Sequence, residues 1–244
     1  MARKTLLPFV FAFFIVFASA HSSSSESCED SSSGSHEGHH HGGHGHGNGN
    51  GNGNGNGNGN GNGNGNNANR GCAQGWTRFN RPDGGWCMRV LPATGVTYAN
   101  AANACVNRNA VLSGIQNAAE MRWINQFAST NMNSAVGSLW IGLRRTARCL
   151  QSKLTATCSK TTSFYWTDGS TSGSQGLSWL DGSQPDNAHG QTQNCVLFFF
   201  ATRNTLVKNV SWRPGALDDV SCDTTGTGSP RLVQGYVCGM RATR

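Results

Sequence analysis

The first clear pattern of apolar positions has the spacing of an α-helix. Thr97 precedes it and suits the N-cap position, because its hydroxyl can accept a hydrogen bond from a backbone N–H of the first turn. The apolar residues then recur every three or four positions, at Tyr98, Ala101, Ala102 and Cys105. This pattern predicts a helix over about residues 97–107.

A second helical pattern begins at Asn117. Glu120 stands three residues later, the spacing of a capping box. The apolar positions that follow, Met121, Ile124 and Phe127, lie on one face of a helix. We therefore expect a second helix that starts at Asn117 and buries this face.

Beyond Ser129 the pattern becomes that of β-strands. Short apolar or alternating runs are separated by Gly, Asn, Asp and Pro, and they cover residues 138–143, 163–166, 194–201 and 234–239. Two helices followed by short strands and long loops predict an α+β fold.

The 244 residues divide into three segments of different composition. Residues 21–71 are rich in Ser, His and Gly, and residues 47–66 repeat the dipeptide Gly-Asn, which predicts a disordered spacer. Residues 72–244 carry the apolar patterns and predict one globular domain. Charged residues are 13% of the chain, against roughly 25% in an average soluble domain.

The first 20 residues have the features of a secretory signal peptide. Arg3 and Lys4 precede an apolar stretch over residues 6–17, and small residues follow at Ala18-Ser19-Ala20. We expect cleavage before His21 and a secreted, extracellular protein. No apolar stretch approaches the roughly 20 residues of a membrane-spanning helix, so membrane insertion is not expected.

The basic excess does not predict nucleic-acid binding. Residues 72–244 hold 16 Lys and Arg residues against 8 Asp and Glu residues. A surplus of positive charge is compatible with an anionic partner. The basic residues are scattered along the sequence, however, and form no basic run. We expect no nucleic-acid partner.

The chain contains nine cysteines, and a secreted protein is expected to oxidise them. Eight lie in the globular segment and predict four disulfides, whose pairing the count alone leaves open. The ninth, Cys28, lies in the disordered arm. An odd thiol in a secreted chain indicates intermolecular pairing, so we expect a disulfide-linked homodimer through Cys28.

Seven of the eight histidines also lie in the arm, at His21, His36, His39, His40, His41, His44 and His46. Imidazoles at this density can chelate Zn²⁺, Cu²⁺ or Ni²⁺. A function in metal handling through this arm is therefore one of the hypotheses for the chain.

Residues 72–242 contain an ordered series of motifs. Gly75-Trp76 lies within the first cysteine pair, and residues 139–143 read Leu-Trp-Ile-Gly-Leu. Residues 166–170, Trp-Thr-Asp-Gly-Ser, follow. Trp179 precedes the motif Gln184-Pro185-Asp186, and Asp218-Asp219 stands three residues before Cys222. In this order the motifs resemble the C-type lectin domain family, in which Leu-Trp-Ile-Gly-Leu is the core strand.

The resemblance implies a disulfide pattern and a C-type lectin-like fold with a long ligand loop. It pairs Cys72 with Cys87, Cys105 with Cys238, and Cys195 with Cys222. Cys149 and Cys158 then close a hairpin after the core strand. It also implies a cis peptide bond before Pro185.

A cluster of acidic residues indicates a cation. Five of the eight acidic residues of the globular segment fall between residues 181 and 223, at Asp181, Asp186, Asp218, Asp219 and Asp223. Like charges gathered on a loop repel each other unless a cation lies among them, and carboxylate and amide oxygens suit Ca²⁺. By resemblance, the calcium ligands are Gln184, Asp186, Gln193, Asp218 and Asp219.

Two positions of this set depart from the family pattern. Gln193 stands where the family usually has a glutamate, and Leu217-Asp218-Asp219 stands for Trp-Asn-Asp. One carboxylate is lost and one gained, so three carboxylates remain, at Asp186, Asp218 and Asp219.

The resemblance also implies carbohydrate binding through the calcium ion. Gln184, Asp186 and Asp218 would bind the sugar together with the ion, and the Gln-Pro-Asp motif is typical of galactose-binding members. Such members usually add an aromatic residue against the apolar face of the sugar. His189 or Trp212 is the candidate for that contact here.

Three hypotheses of function follow. The first is a secreted, calcium-dependent lectin without catalysis, acting in innate immune recognition of surface glycans. The second is a calcium-independent module of the same fold that binds a protein or lipid, which Gln193 and Leu217 favour. The third is metal handling by the arm. Separately, Asn209-Val210-Ser211 is a sequon for N-glycosylation.

Overall fold

The computed structural model describes residues 69–243. The predicted signal peptide, the His-rich arm and Cys28 lie outside the described residues. Metal binding by the arm and a dimer through Cys28 therefore stay predictions. The helices of the described residues are α1 (Tyr98–Val106) and α2 (Ala118–Asn131), with a short helical turn at Ala188–Gln191 and a 3-10 turn at Ala147–Cys149.

The strands are short and most of them follow the helices. Their bounds are β1 Thr77–Arg81, β2 Gly84–Pro92, β3 Val111–Leu112, β4 Val136–Arg145, β5 Phe164–Trp166, β6 Cys195–Ala201, β7 Thr205–Val207, β8 Val210–Trp212, β9 Leu217–Val220 and β10 Val233–Arg241. The predicted α+β fold is confirmed.

The main sheet joins both ends of the described chain. Its strand order is β1-β2-β10-β4-β6-β9, with β3 paired to β10 and β5 paired to β4. The pair β10 and β4 is parallel, and the other pairs are antiparallel. Strands β7 and β8 form a separate hairpin. Strand β9 pairs with β6, with Asp219 opposite Val196 and Asp218 opposite Leu197, so the acidic pair lies beside the start of β6.

The core lies around β4 and β6. Both strands are buried on nearly every residue, as expected for central strands covered on both faces. Trp140 and the phenylalanines of β6, Phe198, Phe199 and Phe200, are fully buried. Trp212 is buried too, with its ring centroid 5.6 Å from that of Phe199. Trp212 is therefore a core residue and does not face a sugar.

Four disulfides close the domain. They pair Cys72 with Cys87, Cys105 with Cys238, Cys149 with Cys158, and Cys195 with Cys222, which are the pairs that the resemblance implies. The second bridge joins α1 to the last strand across 133 residues. It therefore fixes the first helix against the centre of the sheet.

Both predicted helices are present. The Thr97 side chain accepts the backbone N–H of Asn100 at the start of α1, and the Asn117 side chain accepts those of Ala119 and Glu120 at the start of α2. The role of Glu120 differs from the prediction. Its carboxylate is buried and binds Arg81, in addition to accepting the N–H of Gln116.

The early hairpin β1–β2 was not predicted from the sequence. Strand β1 reads Thr-Arg-Phe-Asn-Arg and shows little apolar alternation. Its last residue, Arg81, is buried because it pairs with Glu120 of α2 and with Asp168. This hairpin thus depends on partners far along the chain. Among the residues described, no helix is long and apolar enough to cross a membrane.

Candidate functional site

Four of the five predicted calcium ligands meet around one buried carboxylate. Gln184 and Asp186 lie in the long loop between β5 and β6, and Gln193 lies two residues before β6. Asp219 lies on β9, opposite Val196 of β6. The pairing of β9 with β6 therefore brings the loop and the acidic strand together. The peptide bond between Gln184 and Pro185 is cis, as the resemblance implies.

Asp219 is the centre of this group. Its Oδ1 accepts the backbone N–H of Asp186 at 3.1 Å, and its Oδ2 accepts that of Asn187 at 3.0 Å. The same Oδ2 forms an ion pair with the guanidinium of Arg145, and both side chains are fully buried. Both oxygens of Asp219 are thus engaged by groups of this chain.

Burial and neighbouring charges set the protonation of this ion pair. Burial raises the pKa of Asp219 to about 6, against the opposing effects of the Asn187 N–H and the Arg145 charge. Burial also lowers the pKa of Arg145, while Asp219 raises it. An arginine stays protonated despite such a shift. The ion pair is therefore present at neutral pH.

Arg145 also fixes the start of β6. Its Nε donates to the backbone carbonyl of Gln193 at 2.8 Å, and its guanidinium lies over the ring of Phe164, 4.5 Å from the centroid. Arg145 is the last residue of β4. One cation therefore connects the core strand, the strand with Asp219 and the end of the ligand loop.

Asp218 has a different arginine partner. Its Oδ2 accepts from Nε of Arg231 at 2.7 Å, and its Oδ1 is buried without a hydrogen-bond partner in the described residues. Burial raises the pKa of Asp218, and Arg231 opposes this rise. The guanidinium of Arg231 also lies 5.0 Å from the ring centroid of Trp212. Asp218 therefore stands outside the group around Asp219 and is paired separately.

The amide side chains of the loop bind the loop itself. Oε1 of Gln184 accepts the backbone N–H of Asp186 at 3.1 Å, and Oε1 of Gln193 accepts that of Ala188. Oδ1 of Asp186 accepts the same N–H of Ala188 at 3.1 Å. The oxygens that were expected to face an ion thus face backbone donors.

Asn187 is a buried residue of the site that the sequence did not indicate. Its φ is +46°, and its Oδ1 accepts the backbone N–H of Gln193 at 3.1 Å. Its Nδ2 donates to the carbonyls of Leu150 and Ser152, both at 3.0 Å. Asn187 therefore ties the ligand loop to the Cys149–Cys158 loop. Asparagine tolerates the left-handed conformation better than most residues, which is the one local signal it carries.

The arrangement does not fit a calcium ion held by the five predicted side chains. Arg145 and Arg231 neutralise two of the three carboxylates, and a divalent cation next to Asp219 would lie against the buried guanidinium of Arg145. Ca²⁺ needs six to eight oxygen ligands, whereas the oxygens of Gln184, Gln193 and Asp219 already accept hydrogen bonds. Within residues 69–243, no group of three or more His, Cys, Asp or Glu side chains is placed to hold a metal.

A polar recess opens beside this cluster. Its volume is about 230 Å³, and its lining includes Val220. The other lining residues are polar or charged: His189, Thr192, Gln193, Ser221, Thr224 and Arg231. We therefore call this cavity the polar recess. His189 is exposed, unlike the buried Gln193 and Asp219. The structure thus places the predicted His189 beside the cluster, in a recess that also contains Arg231.

The sequence did contain a signal for Arg145. Side chains of a strand alternate between its two faces, so Arg145 shares a face with Leu143 of the buried run. A charged residue on a buried face needs a partner of opposite charge. That partner, Asp219, is 74 residues away and only the pairing of strands identifies it.

A family model described as C-type lectin domain-containing protein 141/158 matches residues 75–241. A comparison with curated proteins found no match.

Several solved structures are similar to the chain. The cow C-type carbohydrate-recognition domain of CD23, solved in the presence of a GlcNAc2Man3 oligosaccharide, is 22% identical, with 71% of this chain and 98% of that chain covered and a TM-score of 0.44. Herring type II antifreeze protein is 19% identical, with 70% and 100% covered and a TM-score of 0.43. The mouse scavenger receptor C-type lectin carbohydrate-recognition domain is 19% identical, with 71% and 98% covered and a TM-score of 0.43.

Proposed function

The chain belongs to the family described as C-type lectin domain-containing protein 141/158, and we propose from this membership that it is an extracellular carbohydrate-binding module that works without calcium. The module binds its ligand and does not transform it. Four disulfides in the described residues support an oxidising, extracellular location.

The ion pair of Arg145 and Asp219 is the observation that carries this proposal. The carboxylates gathered where the ligand loop meets strand β9 need a cation among them, because the like charges otherwise repel each other. Here the guanidinium of Arg145 supplies that positive charge from within the chain, at a position where its side chain is fully buried. The loop is therefore ordered without an external ion.

The polar recess supports a carbohydrate ligand. A saccharide presents many hydroxyl groups, each of which is both a donor and an acceptor of hydrogen bonds. The recess offers hydroxyls from Thr192, Ser221 and Thr224, an imidazole from His189 and a guanidinium from Arg231. Such a lining suits hydroxyl groups better than a lipid chain, which needs an apolar groove.

The recess, rather than the Gln-Pro-Asp motif, is expected to select the sugar. Gln184 and Asp186 use their side-chain oxygens to accept backbone N–H groups inside the loop. Asp218 is buried and paired with Arg231. His189 and Arg231 remain exposed at the recess. The motif therefore holds the loop, and the sugar contacts come from the side chains around it.

A glycan array tests the proposal directly. The full secreted chain is applied once in buffer with millimolar calcium and once with EDTA. We expect the same glycans to be bound with the same strength in both. Binding that disappears in EDTA and returns with calcium would overturn the calcium-independent site. A folded protein that binds no glycan in either buffer would overturn carbohydrate recognition in favour of a protein or lipid ligand.

Two exposed residues provide a matched pair of variants for the recess. His189→Ala removes an imidazole from the recess and is expected to weaken glycan binding by at least severalfold. Thr202→Ala changes an exposed residue just after the far end of β6 and is expected to leave binding unchanged. Equal binding by both variants would show that His189 does not contact the sugar.

A further inference from the structure

The hairpin of β7 and β8 has an exposed asparagine at its tip. Its strands pair Thr205 with Trp212 and Val207 with Val210, so the loop between them has two residues, Lys208 and Asn209. Both have positive φ, +47° and +64°. This is the backbone of a two-residue hairpin turn, in which asparagine is a favoured residue.

Asn209 is the acceptor position of a sequon. The sequence Asn209-Val210-Ser211 has no proline in the middle and is the one Asn-X-Ser/Thr motif with X other than proline in the 244 residues. Asn209, Val210 and Ser211 are all exposed in the folded structure. A large glycan on Asn209 would therefore project into solvent from the tip of the hairpin, and the fold accommodates it.

We propose that Asn209 is N-glycosylated when the chain passes through the secretory pathway. The donor is an oligosaccharide linked to a lipid through a diphosphate. A bond forms between Nδ2 of Asn209 and C1 of the first sugar, and the bond between C1 and the diphosphate oxygen breaks. Nδ2 loses a proton, and the lipid diphosphate leaves with the electron pair of the broken bond. No oxidant or reductant is required.

The glycan would lie close to exposed apolar side chains. Leu206 is 71% exposed and Val210 is 36% exposed. Leu206 pairs with Ser211 and Val210 pairs with Val207, so each face of the hairpin exposes one apolar side chain near the turn. The hairpin forms its own two-stranded sheet, separate from the main sheet, so its outer edges offer unpaired backbone groups. Exposed strand edges with apolar side chains favour association between chains. A bulky, hydrated group at the tip hinders that association.

The glycan would not obstruct the polar recess. Gln193 lies just before the first residue of β6, and the hairpin follows Ala201, its last residue. A strand of 7 residues spans about 20 Å. The base of the hairpin approaches the recess, because the ring centroid of Trp212 lies 5.0 Å from the guanidinium of Arg231. Asn209 is three residues from Trp212 along β8, or about 10 Å away, so the glycan is attached beyond this contact, on the side of the hairpin tip.

Mass spectrometry tests the proposal. The full chain is expressed in a eukaryotic secretory host, and the mass of the total protein is measured with and without an amidase that removes N-glycans. We expect wild type to lose the mass of one N-glycan on treatment. Asn209→Gln and Ser211→Ala should show no such loss, while Ser211→Thr should retain it. Asn204→Gln, an exposed asparagine of the same region outside any sequon, is the control and should remain glycosylated.

If the amidase leaves the mass of the wild-type protein unchanged, the proposal is wrong, whether the protein is secreted or retained in the cell. A glycan that persists in Asn209→Gln overturns the assignment of the site. Glycan-array binding by Asn209→Gln is expected to equal that of wild type, and a loss would contradict the placement of the glycan away from the recess. Light scattering should show more association in Asn209→Gln than in wild type, and equal scattering would overturn the shielding role.

Discussion

The carboxylate of Asp219 accepts the backbone N–H of Asn187, with 3.0 Å between Oδ2 and the nitrogen. The two residues are 32 positions apart, and both are fully buried. The same oxygen binds the guanidinium of Arg145. The ligand loop is thus held to the sheet through one carboxylate, whose charge is balanced from strand β4.

The ion pair predicts strong coupling between Arg145 and Asp219. Arg145→Met and Asp219→Asn should each lower the free energy of unfolding by about 3–5 kcal/mol, because each leaves a buried group without its partner. The double variant should lose clearly less than the sum of the two losses. Denaturant unfolding of the disulfide-bonded protein measures all three. Strictly additive losses would mean that the two groups do not interact.

The pH dependence of stability should report the titration of Asp219. Burial raises its pKa from 3.8 to about 6 in the folded protein, so the folded state binds the proton more tightly than the unfolded state. The stability that wild type has relative to Asp219→Asn should therefore fall as pH rises from about 4 to 6, by about 3 kcal/mol, and then stay constant. Unfolding at a series of pH values measures this difference.

Asp168 is a control because its pKa shifts in the direction opposite to that of Asp219. Burial alone would raise its pKa, but hydrogen bonds from Thr171, Ser170 and Arg81 outweigh burial and lower it. The stability of wild type relative to Asp168→Asn should therefore be fully present above the unfolded pKa and be lost as pH falls below about 4. Parallel curves for the Asp219 and Asp168 variants would contradict both directions.

The buried position of Arg81 predicts that lysine cannot replace it. Its guanidinium donates to Glu120, Asp168 and the carbonyl of Gly114 at once. An ammonium group lacks this planar fork of donors. Arg81→Lys should lower the free energy of unfolding by more than about 2 kcal/mol, as measured by denaturant unfolding.

The same replacement of arginine by lysine can be made in the exposed ion pair of Arg241 and Asp83, for comparison with the buried Arg81. Their side chains are 59% and 35% exposed. Arg241→Lys should therefore cost less than about 1 kcal/mol. A cost for Arg81→Lys as small as that for Arg241→Lys would mean that the fork geometry of Arg81 contributes nothing.

Gly142 of the core strand β4 should not tolerate a side chain. A Cβ at this position would overlap the backbone carbonyl of Leu112, and backbone atoms cannot easily move aside. Gly142→Ala should lower the melting temperature, at a cost of about 1–3 kcal/mol. Gly182→Ala, where a Cβ meets open space, should change stability by less than about 0.5 kcal/mol. Thermal unfolding of both variants measures the two costs. Similar melting curves for the two variants would contradict the close approach of β4 and β3.

The sequence predicts those elements whose signals are local. Helix α1 has an N-cap threonine and one apolar stripe, and strand β6 is one continuous apolar run, so each is visible in a short window. Strand β1 carries Arg78, Asn80 and Arg81 among its five residues, and Arg81 is buried only because Glu120 and Asp168 reach it. No local pattern contains that information.

The candidate site shows the same division. Motif order identifies the loop of Gln184 and Asp186 and the acidic strand of Asp219, and the structure does bring them together. The pairing of Asp219 with Arg145 could not be predicted, because Arg145 lies two residues after the core motif of residues 139–143 and 74 residues from Asp219. A count of carboxylates predicts a cation, but whether that cation is an ion or a side chain depends on the pairing of distant strands.

The bridge between Cys105 and Cys238 has a consequence for how the cell must make this protein. The other three bridges join cysteines that follow each other directly in the chain. Cys105, by contrast, emerges from the ribosome 133 residues before its partner, or about 7 to 27 seconds earlier at ordinary rates of translation. If the chain enters an oxidising compartment as it is made, as the proposed extracellular location requires, Cys149, Cys158, Cys195 and Cys222 all arrive there during that interval. Oxidation in order of synthesis would give Cys105 the wrong partner, so the yield of native protein depends on enzymes that reshuffle disulfides after translation ends.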